Sequence, residues 1–304
     1  MPEGDTVYRS ARSLDDALHG ATLTRCDIRV PAFATVDLTG QTVHEVISRG
    51  KHLVAHVGET SIHSHLKMEG TWHLYRHGTK WQRPAFQARI VLETADWVAV
   101  GFELGTLELF PTAEDEQHLG YLGPDLLGPN WDAAEAVRRL RAAGDSAAGD
   151  STAGDSTAGD SAAGDSAAGD SAAGDSAAGD SAAEGSAAGD RPVAVALGDQ
   201  RNLAGLGNVY VNELCFLRGL LPTRPIAEVT DVDGLVALAH RLITANRDRS
   251  ERTTTGNLRR GARTFVYGRE RQPCRRCGTS IRSGRLGRSE LELRVTYWCP
   301  RCQT

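Results

Sequence analysis

Between Thr6 and Leu18 the apolar residues Val7, Ala11, Leu14 and Leu18 recur at the spacing of one helix face, with Asp5 or Thr6 available as a cap and Gly20 as a stop. A helix is therefore expected directly behind the first residues of the chain. From residue 22 to residue 110 the period changes to short alternating or β-branched runs: TLTRCDIRV, QTVHEVISRG, KHLVAHV, SIHSHLKMEG, QARIVLE, WVAVGFE and TLELF. Such regularly spaced runs predict an antiparallel sandwich. After LGPDLLGP the helical period returns with WDAAEAVRRLRAA, resumes at PVAVALGDQ, passes through RNLAGLGN to VYVNELCFLRG, and ends in GLVALAHRLITAN. In that last stretch Leu235, Leu238, Leu242 and Ala245 fall on one face.

A five-residue GDSAA-type repeat occupies residues 144–190, inside the helical part. Gly, Ser and regularly spaced Asp, with Ala as the apolar residue, cannot bury a core, so a disordered loop is expected. A calcium-binding repeat is the competing reading, but the spacing lacks the nonapeptide or twelve-residue ligand pattern. Closing a long coil costs little more than closing a short one, so the fold tolerates it.

The repeat also disguises the charge of the rest. The whole chain carries a formal −5, yet residues 144–190 hold nine Asp and one Glu without Lys or Arg, which leaves 34 basic against 29 acidic residues elsewhere. From Arg247 onward, fifteen Arg stand against five acids over 58 residues. That tail reads either as a nucleic-acid footprint or as an Arg-rich solvated face. A length of 304 residues suggests more than one domain. No apolar run approaches the roughly 18 residues of a membrane span, and the first residues lack a basic segment followed by an apolar one. A soluble cytoplasmic protein without a membrane partner is the expectation.

The cysteines sort into two classes. Cys26 and Cys215 stand alone in apolar stretches and read as packed thiols. Cys274, Cys277, Cys299 and Cys302 form two C-x2-C pairs separated by 21 residues, the pattern of a four-thiolate zinc ribbon. In a reducing compartment, disulfides are the weaker reading. Arg282, Arg285, Arg288 and Arg294 lie between the pairs, so the hairpin is either a DNA-contacting finger or a structural clip. In GLGN, Asn208 is placed to cap a helix beginning at Val209, which would make a phosphate site or an ordinary capped helix. In SRGKHL, Lys51 could meet a phosphate or solvent. At the start, MPEGDT puts Pro2 next to Glu3, and removal of Met1 would expose a secondary amine beside a carboxylate. Pro at a helix start is also common for structural reasons.

MPEGDT, SRGKHL, SHLKMEG, DQRNLAGLGNVYVNE and CRRC…YWCPRCQ together resemble, in order and distance, the formamidopyrimidine-DNA glycosylase and endonuclease VIII family. The PEG beginning resembles the endonuclease VIII branch, and the whole is most similar to the actinobacterial Nei2 type. The resemblance covers nearly all of the chain except 144–190. It implies an α+β multidomain fold: an N-terminal antiparallel β-sandwich with a leading helix over residues 1–121, a helix-two-turn-helix domain over 122–262 interrupted by the repeat, and a zinc-ribbon β-hairpin over 263–304. It implies a monomeric bifunctional DNA glycosylase and AP lyase of base excision repair, acting on damaged DNA and associated with the nucleoid when bound. By position, Pro2 is the nucleophile, Glu3 the acid/base partner and Lys51 a catalytic and phosphate-binding residue. Asn208 and Arg294 match further phosphate contacts, and Met68 a void-filling position. The four cysteines match the ligands of one structural zinc ion, and no catalytic metal or nucleotide cofactor is implied.

The chemistry asks for these groups independently. A secondary amine that attacks the sugar C1′ yields an iminium ion unable to lose its charge at nitrogen, and so an electron sink for elimination of the 3′ and then the 5′ phosphate. An α-amino group titrates at about 7.7–8.0, far nearer neutrality than Lys. Some positions depart from the family pattern. Asp5-Thr6 stands where Pro-Glu is usual, and Gly198 replaces an apolar helix residue at a cost of about 1 kcal/mol. GFELGTLELF lacks the Arg of the purine-directed branch, which points to oxidised pyrimidines. Met68 could equally be a core residue, and His63 and His65, on one strand face, read as structural rather than metal-binding. The alternatives are a purine-directed glycosylase, a non-catalytic lesion or abasic-site binder, or a plain zinc-ribbon protein.

Overall fold

A computed structural model describes residues 2–145 and 191–304. The repeat expected to be disordered thus lies outside the described residues, apart from Gly144 and Asp145. These two complete a helix.

Helix α1 (Gly4–Leu18) buries Val7, Ala11, Leu14 and Leu18, the stripe its spacing predicts. It starts two residues earlier than expected because Glu3, not Asp5 or Thr6, is the cap residue: the Glu3 carbonyl accepts the N–H groups of Thr6 and Val7 at 2.9 and 3.0 Å. Asp5 is consequently inside the helix.

Eight strands follow, β1 (Arg25–Ile28), β2 (Val43–Arg49), β3 (His52–Val57), β4 (Thr60–His65), β5 (Thr71–Tyr75), β6 (Ala88–Glu93), β7 (Val98–Phe102) and β8 (Thr106–Pro111). They form two antiparallel four-stranded sheets in the orders β1-β6-β7-β5 and β2-β3-β4-β8. Leu53, Ala55, Val57 and Ile62 from one sheet meet Ile90, Leu92 and Ala99 from the other, and the α1 stripe closes the side of the sandwich. Strand β5 escapes the sequence pattern. Its residues TWHLY put a histidine, His73, on a covered face between Tyr75 and Phe102, so no apolar alternation marks it.

A short helix α2 (Asp115–Leu119) leads to a second core built by α3 (Ala133–Asp145), α4 (Val193–Gly198), α5 (Asn208–Arg218) and α6 (Val232–Asn246). The buried stripe of α6 is Val232, Leu235, Val236, Ala239 and Ile243. Leu238 and Leu242 are only partly buried and Ala245 is exposed, so the predicted face was rotated toward the edge of the true one. Gly198 is the last residue of α4 with open space where a Cβ would stand, so the cost expected of a glycine inside a helix does not arise.

The hairpin β9 (Arg282–Leu286) and β10 (Arg294–Trp298) pairs antiparallel with Arg294 opposite Leu286. Phe216, Val266 and Ile281 form a small core with Cys274 and Cys299. Contacts between segments far apart in the chain hold these parts. Val54, Leu119, Leu122 and Ala204 make an apolar contact between the β2-β3-β4-β8 sheet and the helical part. The chain at 123–126 is also zipped to residues 200–204 by Gly123 N–H to the Gln200 carbonyl (2.8 Å) and Ala204 N–H to the Pro124 carbonyl (3.0 Å). Among the described residues no helix is long and apolar enough to cross a membrane.

Candidate active site

The glycine-rich loop before α5 and the start of α1 are in direct contact. Gly4 N–H donates to the Gly205 carbonyl at 2.9 Å, and a Cβ on Gly4 would lie 2.9 Å from the Gly205 Cα. Gly205 itself has φ +105, which an L side chain strains to adopt. This approach delivers the fully buried Glu3 carboxylate to the first turn of α5, where it accepts the N–H of Gly207 at 3.1 Å and of Val209 at 2.8 Å. A Cβ on Gly207 would stand 2.4 Å from the Glu3 carboxylate carbon. The α5 cap residue is Gly207 and the helix begins at Asn208 itself. Asn208 therefore does not cap the helix as its sequence position suggested; Glu3 serves its free donors from more than two hundred residues away.

Arg252 stands behind this pair. Its Nη1 is 3.7 Å from Glu3 Oε1, its Nε donates to Asp5 Oδ2 at 2.8 Å and its Nη2 to Asp5 Oδ1, while the guanidinium lies over the Tyr210 ring, 5.0 Å from the centroid. The Tyr210 hydroxyl donates to Asp5 at 3.1 Å. Burial opposes the Arg252 charge, but Glu3 and Asp5 outweigh it and push its pKa up. Asp5, which stands where the family usually has Pro, is thus turned inward onto an arginine that charge counting alone did not single out. Asn246 holds that arginine's loop through paired bonds to Thr253, 2.8 Å to its N–H and 2.9 Å to its carbonyl.

Lys51 follows Gly50, whose φ of +62 forms the β2–β3 turn. Gly50 N–H donates to Asp125 Oδ2 (2.9 Å) and the Leu127 N–H to Asp125 Oδ1 (3.0 Å), which fixes the turn to the connection between the two large cores. Lys51 is buried and forms no side-chain hydrogen bond among the described residues. Burial lowers its pKa to about 8; Glu3 opposes the shift, while Arg294 and Arg252 add to it. Glu3, Arg252, Arg294 and Lys51 thus share one electrostatic neighbourhood.

Asn208 Nδ2 donates to the Val295 carbonyl of β10 at 2.7 Å, and Asn212, one turn later, accepts the Tyr297 N–H at 2.5 Å. Helix α5 therefore carries the hairpin, and Arg294 stands exposed at the start of β10 without an ion pair among the described residues. Glu213, fully buried on the same helix, accepts the N–H groups of Phe265, Val266 and Tyr267 at 2.7–2.9 Å and the Thr254 hydroxyl. It ties the Arg-rich connection to α5. The Tyr267 hydroxyl is pushed up chiefly by burial and next by Glu3, which places it in the same neighbourhood.

The four cysteine sulfurs lie within 4.8 Å of one another, with Cys274–Cys302 at 3.9 Å and Cys277–Cys299 at 3.5 Å. A tetrahedral zinc with Zn–S of about 2.3 Å needs sulfurs about 3.8 Å apart, so the residues fit that ion. Among the described residues this is the one group of three or more His, Cys, Asp or Glu side chains close enough to share an ion. His63 and His65 instead join His52. His52 Nδ1 meets His63 Nε2 at 2.8 Å, and His63 Nδ1 meets Glu108 at 2.9 Å. Burial first, then the neighbouring His63 and His65, lowers His52 to about 2, so it is neutral at pH 7. Met68 is not a core residue; it is 61% exposed, beside Lys67 with φ +49.

A sequence profile of the formamidopyrimidine-DNA glycosylase N-terminal domain matches residues 1–103. Over 304 residues the chain is 46% identical to a Mycolicibacterium smegmatis protein named DNA-(apurinic or apyrimidinic site) lyase Nei2, covering 100% of this chain and 99% of that one. It is 44% identical over 307 residues to endonuclease 8 2 of Mycobacterium bovis, with 100% of each chain covered. Among solved structures, the Fpg of Lactococcus lactis in complex with DNA containing an abasic site matches with a TM-score of 0.70 at 20% identity, covering 100% of both chains, so the two share a fold.

Glu213 gives a test of how the hairpin is held. Glu213→Leu leaves three N–H groups without an acceptor, that of Val266 buried and those of Phe265 and Tyr267 partly buried, at about 1–3 kcal/mol for each group left unsatisfied. Urea unfolding should lose at least about 3 kcal/mol, and a chelator should strip metal from the cysteines faster. A loss below about 1 kcal/mol would show that the glutamate is dispensable.

Proposed function

Because the chain belongs to the formamidopyrimidine-DNA glycosylase and endonuclease VIII family, we propose that it is a bifunctional DNA glycosylase and AP lyase of base excision repair, working through a Schiff base on Pro2. The observation that carries this reading is the buried Glu3 carboxylate, locked onto the start of α5 beside a partly exposed Pro2. In this reading three units, 1–121, 122–262 and 263–304, act as a monomer on DNA in the cytoplasm, with the damaged nucleotide between them.

Removal of Met1 frees the Pro2 amine, which attacks C1′ of the damaged nucleoside as the bond to the base breaks. Glu3 moves protons to and from the deoxyribose ring oxygen. A carboxylate offers about four acceptor sites, so the two N–H bonds from α5 orient Glu3 and leave capacity toward the sugar. The resulting iminium draws electrons as the 3′ and then the 5′ phosphate depart. Lys51 and Arg294, neither with a side-chain partner among the described residues, face the phosphates around the flipped nucleotide together with Asn208, whose amide in the free protein bonds the Val295 carbonyl and the Tyr267 hydroxyl and turns its second N–H from Tyr267 to a phosphate. The exposed Met68 fills the gap left in the stack. Zinc on the four cysteines supplies no chemistry to the reaction; it stiffens the hairpin that presents Arg294.

The β7–β8 turn supports oxidised pyrimidines as the preferred lesions. It offers Glu103, engaged by Arg83 at 2.6 Å, and a buried Leu104, with no arginine to probe a purine's partner. Excision of thymine glycol should exceed that of 8-oxoguanine in matched duplexes, and the reverse order would favour a purine-directed enzyme. Borohydride should trap a covalent complex that disappears in Pro2→Gly. Tight binding to abasic DNA without any adduct would indicate a non-catalytic binder.

Lys51 adds a pH dependence. In the free protein it is charged below about 8 and neutral above. Its share of the affinity, measured as the difference between wild type and Lys51→Met in DNA binding, should be full at about pH 7 and shrink toward about pH 10; a bound phosphate moves the midpoint upward. A difference that stays constant over that range would contradict a phosphate role for the ammonium.

A further inference from the structure

Strand β5 is an edge of its sheet, paired on one side with β7 in an unbroken register from Thr71–Phe102 to Tyr75–Val98. Its other edge is open: among the described residues, the main-chain groups of Thr71–Tyr75 facing away from β7 take no hydrogen bond. Natural sheets guard such edges with lysine, proline, a bulge, or a covering helix or loop; TWHLY has none of the first three, and α1 approaches one face while leaving a slit. A shallow groove follows this edge. Trp72, His73, Leu74 and Tyr75 all line it, and four consecutive residues from both faces can do so only where the groove runs along the hydrogen-bonding edge. It continues into a slit between β5 and α1, where Thr6, Arg9, Ser10 and Ser13 face Trp72 and Leu74.

The charge of this groove is one-sided. Among the described residues no carboxylate lines either part, and no Asp or Glu occurs from Gly70 to Leu92. Arg76 stacks over Trp97 at 3.8 Å and, like Lys80, is exposed without a carboxylate partner among the described residues. We propose that the open edge of β5, with the slit beside α1, is a docking site for an extended acidic peptide segment of a partner protein, which adds as a fifth strand. A peptide backbone presents alternating donors and acceptors and can pair both the N–H and the C=O groups of the edge. The deoxyribose-phosphate backbone of DNA presents acceptors without donors and would leave the β5 carbonyls unpaired. The half-exposed Trp72 and Leu74 receive alternate apolar side chains, and Arg76 and Lys80 take the acidic ones.

The test is a selection of displayed random dodecapeptides on the full-length protein, followed by NMR mapping of a selected peptide. Selected peptides should carry net negative charge with apolar residues at alternate positions, and should shift the amides of residues 71–75 and 6–13. N-methylation of alternate peptide amides, and the double change Arg76→Glu with Lys80→Glu, should each weaken binding at least about tenfold. Borohydride trapping on abasic DNA should be unchanged in that variant, which separates this surface from the proposed reaction. Failure to select any peptide over a control bait carrying the two charge reversals, peptides that shift other amides, or tighter binding of oligothymidylate to the β5 edge would each overturn the proposal.

Discussion

The contact on which the site depends is a carboxylate at a helix start. Glu3 satisfies two N–H groups at the beginning of α5, where the helix dipole also favours negative charge, and those bonds are what make full burial of an acid tolerable. The contact imposes its own sequence. Gly4 has to be small against Gly205, and Gly207 has to be small against Glu3 itself. The PEG at one end of the sequence and the GLG two hundred residues later are two halves of one joint, and the position of the Pro2 residue follows from it.

Around that joint the charges are nearly balanced. Glu3 and Asp5 are buried acids, Lys51 a buried base and Arg252 a partly buried one, and breaking such a set by removing one member leaves an uncompensated charge. The two bases differ in how they are held. Arg252 is pinned by Asp5 and the Tyr210 ring, so its charge is structural. Among the described residues the Lys51 side chain has no such anchor; its backbone turn is fixed through Gly50 and Asp125.

Local periodicity was legible where one face of an element is buried and the other wet, as in the α1 stripe of Val7, Ala11, Leu14 and Leu18. It failed where polar residues sit on covered faces, as His73 does in β5, and it turned α6 because Leu238 and Leu242 lie at the margin of the buried stripe. The chemistry-bearing residues were legible as motifs with fixed spacing, above all the paired cysteines. Their supporting partners were not. Arg252 is one of fifteen arginines in a basic tail, Asp125 lies in a connection, and Glu213 reads as an ordinary helix residue; each acquires its place through contacts between segments far apart in the chain. The cap of α5 was misread for the same reason, since its acceptor comes from Glu3.

In the proposed reaction the α5 joint presents the Pro2 amine, and not the neighbouring Lys51, to the damaged sugar. With a pKa near 8, Lys51 is the rival nucleophile in the same neighbourhood. Mass mapping of the borohydride-reduced complex, after digestion of both protein and DNA, discriminates between them. The deoxyribose remnant is predicted on a peptide that begins at Pro2; a remnant on the peptide containing Lys51 would contradict the account.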